Sequence, residues 1–180
     1  YTITARDSSL AQNTTTIPDN DEFSFIVEKI FDPTTGYVND FNATSSDFIL
    51  SGFDIYNEIK FLNPSLHSLH PYLSPKQNDA HFDYTAVLKH PIILGNSSIM
   101  TFDEIVLVEP GEFQSKYGDD DFWDYVIVEG SKDYGETWLP LIDGYDSDEE
   151  TLWKDEYFKN IEDQESLAVG TPDWYVNRSI

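Results

Sequence analysis

The pattern of apolar residues near the start of the chain predicts a strand that follows a polar stretch. Residues 1–21 are rich in Thr, Ser, Asn and Asp and hold few bulky apolar side chains, so we expect a linker or an edge strand there. Phe23, Phe25 and Val27 then recur at every second position, which is typical of a strand. Pro33 must end that strand because proline cannot donate to its hydrogen-bond ladder.

Two longer apolar runs lie in the middle of the chain. Residues 84–94 and 99–108 are rich in β-branched side chains, and we expect a central strand in each. Gly95-Asn96-Ser97-Ser98 lies between them and has the composition of a turn, so the two strands are expected to form a hairpin. From Asp40 to Asn78 the apolar groups are short and are interrupted by Gly and Pro, which favours short strands and long loops.

A second hairpin is predicted further along the chain. Residues 122–129 are apolar on both faces, which indicates a strand in the middle of a sheet. Residues 136–142 are expected to be its hairpin partner. The predicted core residues are Ile105, Val106, Trp123, Val126 and Val128.

One segment, 148–161, predicts a short helix. Trp153, Tyr157 and Ile161 recur at i, i+4 and i+8, and Asp148 is suited to cap the first turn. Strand patterns prevail elsewhere, and no repeat of solenoid length occurs. We therefore expect one all-β domain over residues 1–180, a β-sandwich with this single helix.

Charge and composition restrict the classes of partner. Aromatic residues make up 15% of the chain, which suits the broad faces of sheets. Asp and Glu number 34 against 10 Lys and Arg, so the net charge of -24 repels nucleic acids and anionic membranes. Nucleic acid is therefore not an expected partner. No apolar run is long enough to cross a bilayer, so direct membrane insertion is not expected either. Cysteine is absent, which excludes disulfides, thiolate zinc sites and cysteine nucleophiles.

The most specific motif is Ser131-Lys132-Asp133-Tyr134-Gly135-Glu136-Thr137-Trp138. It fills every defined position of the S-x-D-x-G-x-T-W pattern known as the Asp box. Its residue types suit a hairpin turn, because Asp133 accepts backbone N–H bonds, Gly135 allows a positive φ and Trp138 folds back on the turn. These roles are structural, and we assign them to Ser131, Asp133, Gly135, Thr137 and Trp138.

The surroundings of this motif resemble a known class of module. Sialidase propellers contain several Asp boxes and an arginine cluster, whereas this chain has one box and two arginines, Arg6 and Arg178. The runs 66–72, 102–112 and 118–131 are instead similar to jelly-roll modules, distantly like MAM and reelin-repeat domains, of large surface proteins of bacteria that use type IX secretion. The resemblance implies a jelly-roll β-sandwich in a secreted or cell-surface protein. Such modules close with further strands that this sequence does not show.

Two other groups of residues suggest metal chemistry. Asp119, Asp120, Asp121 and Asp124 cluster in one segment, and carboxylate oxygens are the ligands that calcium prefers, so calcium at these four residues is one hypothesis and a solvated acidic loop is the alternative. The four histidines lie among prolines and apolar residues, which favours packing or loop roles over metal binding.

Signals for chemistry are otherwise scarce. No Ser/His/Asp signature, phosphate-binding glycine loop or HExxH motif occurs. We therefore expect a non-catalytic binding or structural module whose partners are other domains or surface proteins. One alternative is a calcium-containing carbohydrate-binding module presenting Trp153, Trp174, Tyr72 or Tyr145 to glycans. Another is part of a secreted glycosidase or protease.

Overall fold

The chain consists of two compact units, residues 1–31 and 32–180. The computed structural model describes residues 3–6, 14–17, 28–43, 46–69, 82–162 and 165–180. In the first unit, β1 (Ile3–Arg6) pairs antiparallel with β2 (Thr14–Ile17), where we expected a linker or an edge strand. The strand predicted at 23–27 lies outside the described residues, and the assignment of 1–180 to a single domain stays a prediction.

The second unit contains ten short strands and one α-helix in its described parts. In chain order they are β3 (Phe48–Ser51), β4 (Phe53–Tyr56), β5 (Ser65–Ser68), β6 (Thr85–Leu88), β7 (Thr101–Glu104), β8 (Val126–Gly130), β9 (Leu139–Tyr145), α1 (Thr151–Lys159), β10 (Ile161–Glu162), β11 (Glu165–Ser166) and β12 (Val176–Ser179). The all-β class is confirmed. No helix in the described ranges is long and apolar enough to cross a membrane.

Every sheet among the described residues is an antiparallel pair of strands. β4 pairs with β5, β8 with β9 and β10 with β11, whereas β3 pairs with β6 and β7 with β12 over long stretches of chain. The expected hairpin across residues 95–98 is therefore wrong. The turn does form, since Ser98 N donates to Gly95 O at 3.3 Å, but Pro91 interrupts the first apolar run and both strands find distant partners.

The hairpin around the Asp box is confirmed, with shifted bounds. β8 begins at Val126, four residues later than predicted, and β9 extends to Tyr145. Residues 122–125 precede the strand, and the Trp123 side chain is 49% exposed. Its assignment to the core is wrong because an apolar run that is not in a strand has no fixed face turned inward.

The core of the second unit forms around three buried residues, Val106, Tyr145 and Trp153. Ile105 and Val126 pack against them, as predicted, and Val128 is partly buried in β8. Trp153 has no exposed surface, and its Nε1 donates to the carbonyl of Trp174 at 2.8 Å. The core therefore joins α1 to the segment that leads into β12.

The predicted helix is confirmed, and two of its details change. Trp153 and Tyr157 are buried on one face of α1, but Ile161 lies beyond the helix in β10 and is exposed. Asp148 is not the cap. Asp146 caps the preceding 3₁₀ turn (Ser147–Glu149) by accepting the N–H of Asp148, and the Asp148 carboxylate pairs with Lys154 at 2.7 Å.

Candidate functional site

The Asp box is the turn between β8 and β9, and its polar side chains bond to one another. The Ser131 hydroxyl donates to Asp133 Oδ1 at 2.8 Å and accepts the Gly135 N–H at 2.7 Å. Asp133 Oδ1 also accepts the Thr137 N–H at 2.8 Å, and Asp133 Oδ2 accepts the Thr137 hydroxyl at 2.5 Å. The carboxylate thereby ties both sides of the turn together.

The backbone of this turn has two successive residues with positive φ. Tyr134 has a φ of 59° and Gly135 a φ of 92°. A Cβ atom at Gly135 would stand 3.4 Å from Cζ2 of Trp138, so the indole folds back on the turn. Trp138 stays 40% exposed, and the ring of Tyr134 at the tip of the turn is 87% exposed.

Hydrogen bonding lowers the pKa of Asp133 to about 2. The causes, in order, are the hydroxyl of Thr137, its backbone N–H and the hydroxyl of Ser131, all of which favour the ionised carboxylate. At neutral pH the group holds no proton to donate, and its bonding partners are hydroxyl and amide groups. This arrangement suits a structural turn better than acid-base catalysis.

The four aspartates proposed for calcium lie in and after a tight loop. Asp119 Oδ2 accepts the Lys116 N–H at 2.9 Å, and the carbonyl of Asp121 accepts the Glu112 N–H at 3.0 Å. Asp119, Asp120 and Asp121 have exposed side chains, and Asp124 is partly buried. In the parts of the chain that the structure describes, no three His, Asp or Glu side chains converge as metal ligands. Calcium at these residues stays a prediction.

Beside this loop lies a cluster of aromatic rings that sequence reasoning did not identify. The Tyr117 and Tyr125 centroids are 5.1 Å apart with the rings nearly perpendicular, and Phe122 stands 6.0 Å from Tyr125. Tyr125 is 46% exposed, and Trp123 is exposed to a similar degree. We define the Tyr125 surface as the exposed rings of Tyr125 and of Trp123, two positions before it in the chain, together with the Tyr117 and Phe122 rings that pack against Tyr125. The density of aromatic residues in 117–125 was the signal in the sequence.

Two carboxylates, Asp83 and Glu129, act electrostatically on Tyr125. Partial burial raises the pKa of Tyr125, and Tyr117, Asp83 and Glu129 raise it further. Partial burial likewise raises the pKa of Glu109, with further increases from Asp124 and Glu112. Asp83 lies in the segment before β6 and Glu129 lies in β8, so two parts of the chain that are distant in sequence both act on Tyr125.

A second polar cluster is internal. Both side chains of the Arg178–Glu104 ion pair are only 10% exposed, and the other oxygen of Glu104 accepts the Tyr145 hydroxyl at 2.7 Å. Glu149 lies 3.4 Å from Arg178. The charged group of Arg178 therefore forms its ion pairs within the protein. These contacts connect β12 to β7 and β9.

The aromatic residues proposed to stack on sugars are mostly unsuitable. Trp153 and Tyr145 are buried, Trp174 is partly buried against the core, and Tyr72 lies outside the described residues. The exposed aromatic rings near the Asp-box hairpin are Trp123, Tyr125, Tyr134 and Trp138 instead. The sequence analysis did not propose them as sugar-binding residues, because hydropathy does not show which aromatic side chains are buried.

Two of the histidines fall in described regions. His67 in β5 lies 3.8 Å from a Glu58 oxygen and near the Tyr56 ring, and His90 lies 3.4 Å from an Asp47 oxygen. Each of these histidines therefore lies beside an acidic side chain and an aromatic ring, which is Tyr37 for His90. His70 and His81 lie outside the described residues.

The chain matches no protein-family model, no curated protein and no solved structure.

Proposed function

We propose that this chain is a non-catalytic jelly-roll module of a secreted or cell-surface bacterial protein, and that it binds another domain or protein through the Tyr125 surface. The observation that carries the proposal is the exposure of Tyr125, whose ring packs against Tyr117 and Phe122, with a second exposed ring, Trp123, two positions away in the chain. Partly exposed aromatic residues are the side chains on which protein interfaces most depend.

The strand pairing supports the jelly-roll part of the proposal. β3 with β6 and β7 with β12 are antiparallel pairs between strands far apart in the sequence. Such pairs occur in Greek-key and jelly-roll sandwiches, where a strand returns beside an earlier one. The β8–β9 hairpin lies between β7 and β12 in the sequence, so a pair of distant strands encloses a local hairpin in the chain.

The non-catalytic part rests on where the perturbed groups lie. Among the described residues, Asp133 and Tyr145 have strongly shifted pKa values, and both groups form hydrogen bonds within the protein. Perturbed groups of a reactive site would face a cleft beside a second ionisable group. Here the Asp133 carboxylate closes a turn, and the Tyr145 phenol anchors a buried acid.

Site-specific photo-crosslinking in the cells that make the protein tests this function. A photoreactive residue at position 123 is expected to capture one defined protein, whereas the same residue at position 158 is expected to capture none. Phe158 is a matched control because it is also an aromatic residue about half exposed, on α1. Capture of no protein at position 123, or of the same mixture at both positions, would contradict the proposal.

A carbohydrate-binding module is the second candidate, since Trp123, Tyr134 and Trp138 are exposed rings of the kind that stack on sugars. Binding on a glycan array that depends on Trp138 would favour it over protein binding. Calcium at Asp119–Asp124 belongs to this candidate and predicts a higher Tm with calcium than with chelator, lost in Asp121→Asn.

A further inference from the structure

Resting on the proposed function, we infer that the Tyr125 surface recognises a basic segment of the partner protein, with a Lys or Arg side chain held against its rings. The class of partner follows from three observations: the aromatic rings of the surface, the carboxylates near it and the net charge of the chain.

The rings supply a rigid platform. Tyr125 packs edge-on against Tyr117 at 5.1 Å and close to Phe122 at 6.0 Å, so its position is set from two sides. Gly144 in β9 lies directly beneath, because a Cβ atom there would collide with the rings of both Tyr117 and Tyr125. The ring of Tyr125 is thus seated on the hairpin while nearly half of it stays exposed.

The carboxylates around Tyr125 favour a cationic ligand. Asp83 and Glu129, from two separate segments, act electrostatically on Tyr125, and Asp124 lies between Trp123 and Tyr125 in the chain. A ring face bordered by carboxylates attracts a guanidinium or ammonium group in two ways, through the ring quadrupole and through direct ion pairing. Arg178 over the Tyr145 ring, at 3.9 Å, shows the same combination inside this protein.

The net charge of the chain disfavours other binding partners at this surface. With a charge of -24, a second copy of the chain, a nucleic acid or an anionic lipid surface would approach against strong repulsion. A basic protein segment can stack on the aromatic rings and is attracted by the negative charge of the chain. The same attraction increases its rate of association with the surface.

The experiment measures binding of a short labelled peptide in which arginine alternates with valine, by fluorescence anisotropy. Peptides with serine or glutamate in place of arginine are the probes for the alternatives. We expect the arginine peptide to bind, the glutamate peptide not to bind, and affinity to fall as salt is raised. Trp123→Ala is expected to weaken binding about tenfold, and Asp124→Asn with Glu129→Gln by a similar factor.

Phe158→Ala is the control for non-specific attraction between a polycation and an acidic protein. It removes a half-exposed ring far along the chain and leaves every charge in place, so its affinity is expected to equal that of the unaltered protein. Circular dichroism of each variant checks that the fold is retained.

Two results would overturn the inference: equal effects of Trp123→Ala and Phe158→Ala, or equal binding of the serine and arginine peptides. Neither bears on whether position 123 crosslinks to a protein in cells, so a basic partner can be refuted while the interaction function stands. Conversely, tight binding of the arginine peptide without a crosslinked protein would refute the function.

Discussion

The guanidinium carbon of Arg178 lies 3.9 Å from the centroid of the Tyr145 ring, and both side chains bond to Glu104. Burial alone would lower the pKa of Arg178, but its hydrogen bond to the Glu104 carboxylate raises it. Burial also raises the pKa of Tyr145, so its phenol stays protonated and donates to the same acid. Glu104 therefore holds β12 and β9 together.

Replacement of this acid should be costly. Glu104→Gln removes the carboxylate that is buried together with Arg178, and we expect the free energy of unfolding to fall by about 3 kcal/mol. Glu149→Gln is the matched control, since that acid is 47% exposed at 3.4 Å from Arg178, and its loss should cost less than about 1 kcal/mol. Urea denaturation measures both, and similar losses in the two variants would contradict the role given to Glu104.

The Asp box should contribute to stability in a pH-dependent way. Because the folded pKa of Asp133 is about 2, below the ordinary 3.8, its contribution is complete above about pH 5 and is lost as pH falls through 2. Asp133→Asn should lower Tm at neutral pH, and the difference from the unaltered protein should shrink toward pH 2. Asp155→Asn, an exposed position on α1, should show no such trend. A gap in Tm that is constant with pH would refute this.

The backbone of the same turn gives an independent prediction. Gly135→Ala places a side chain at a φ of 92°, which should cost about 1–2 kcal/mol. The new methyl group itself makes only an ordinary contact with Trp138, at 3.4 Å. Gly36→Ala is the control, since it lies in open space without a positive φ, and it should change stability by less than about 1 kcal/mol. Equal effects in chemical denaturation would show that the turn tolerates a side chain.

The tryptophans should divide into structural and surface classes. Trp153→Ala removes a side chain with no exposed surface and one hydrogen bond, so we expect a loss of roughly 3–5 kcal/mol. Trp123→Ala removes a half-exposed ring and should cost about 1 kcal/mol or less. Thermal unfolding of the two variants makes the comparison, and a larger loss at Trp123 would return that residue to the core.

The local features of this fold could be predicted from the sequence. The β8–β9 hairpin followed from the Asp box, whose residues bond within one turn, and α1 followed from the spacing of Trp153 and Tyr157. Both depend on neighbours in the chain. The failure at residues 95–98 has the opposite cause, because β6 and β7 pair with strands that are distant in sequence, and no local pattern specifies such partners.

The candidate site was less predictable for a similar reason. Trp123 was assigned to the core because its run is apolar, yet only β8, from Val126 onward, has a face fixed by pairing. The field around Tyr125 combines Asp83 with Glu129, which the sequence places far apart. The role of Arg178 depended on Glu104, 74 residues earlier, and became visible only when both strands were placed.

The separation of 74 positions between Glu104 and Arg178 also bears on the order of events during synthesis. As the chain leaves the ribosome, β7 emerges long before β12, so its edge stays open to other polypeptides until the rest of the unit has been made. The Asp-box hairpin has no such delay and is free to close first. We expect nascent chains that stop short of β12 to need chaperone protection, and chains that include β12 to lose that need abruptly.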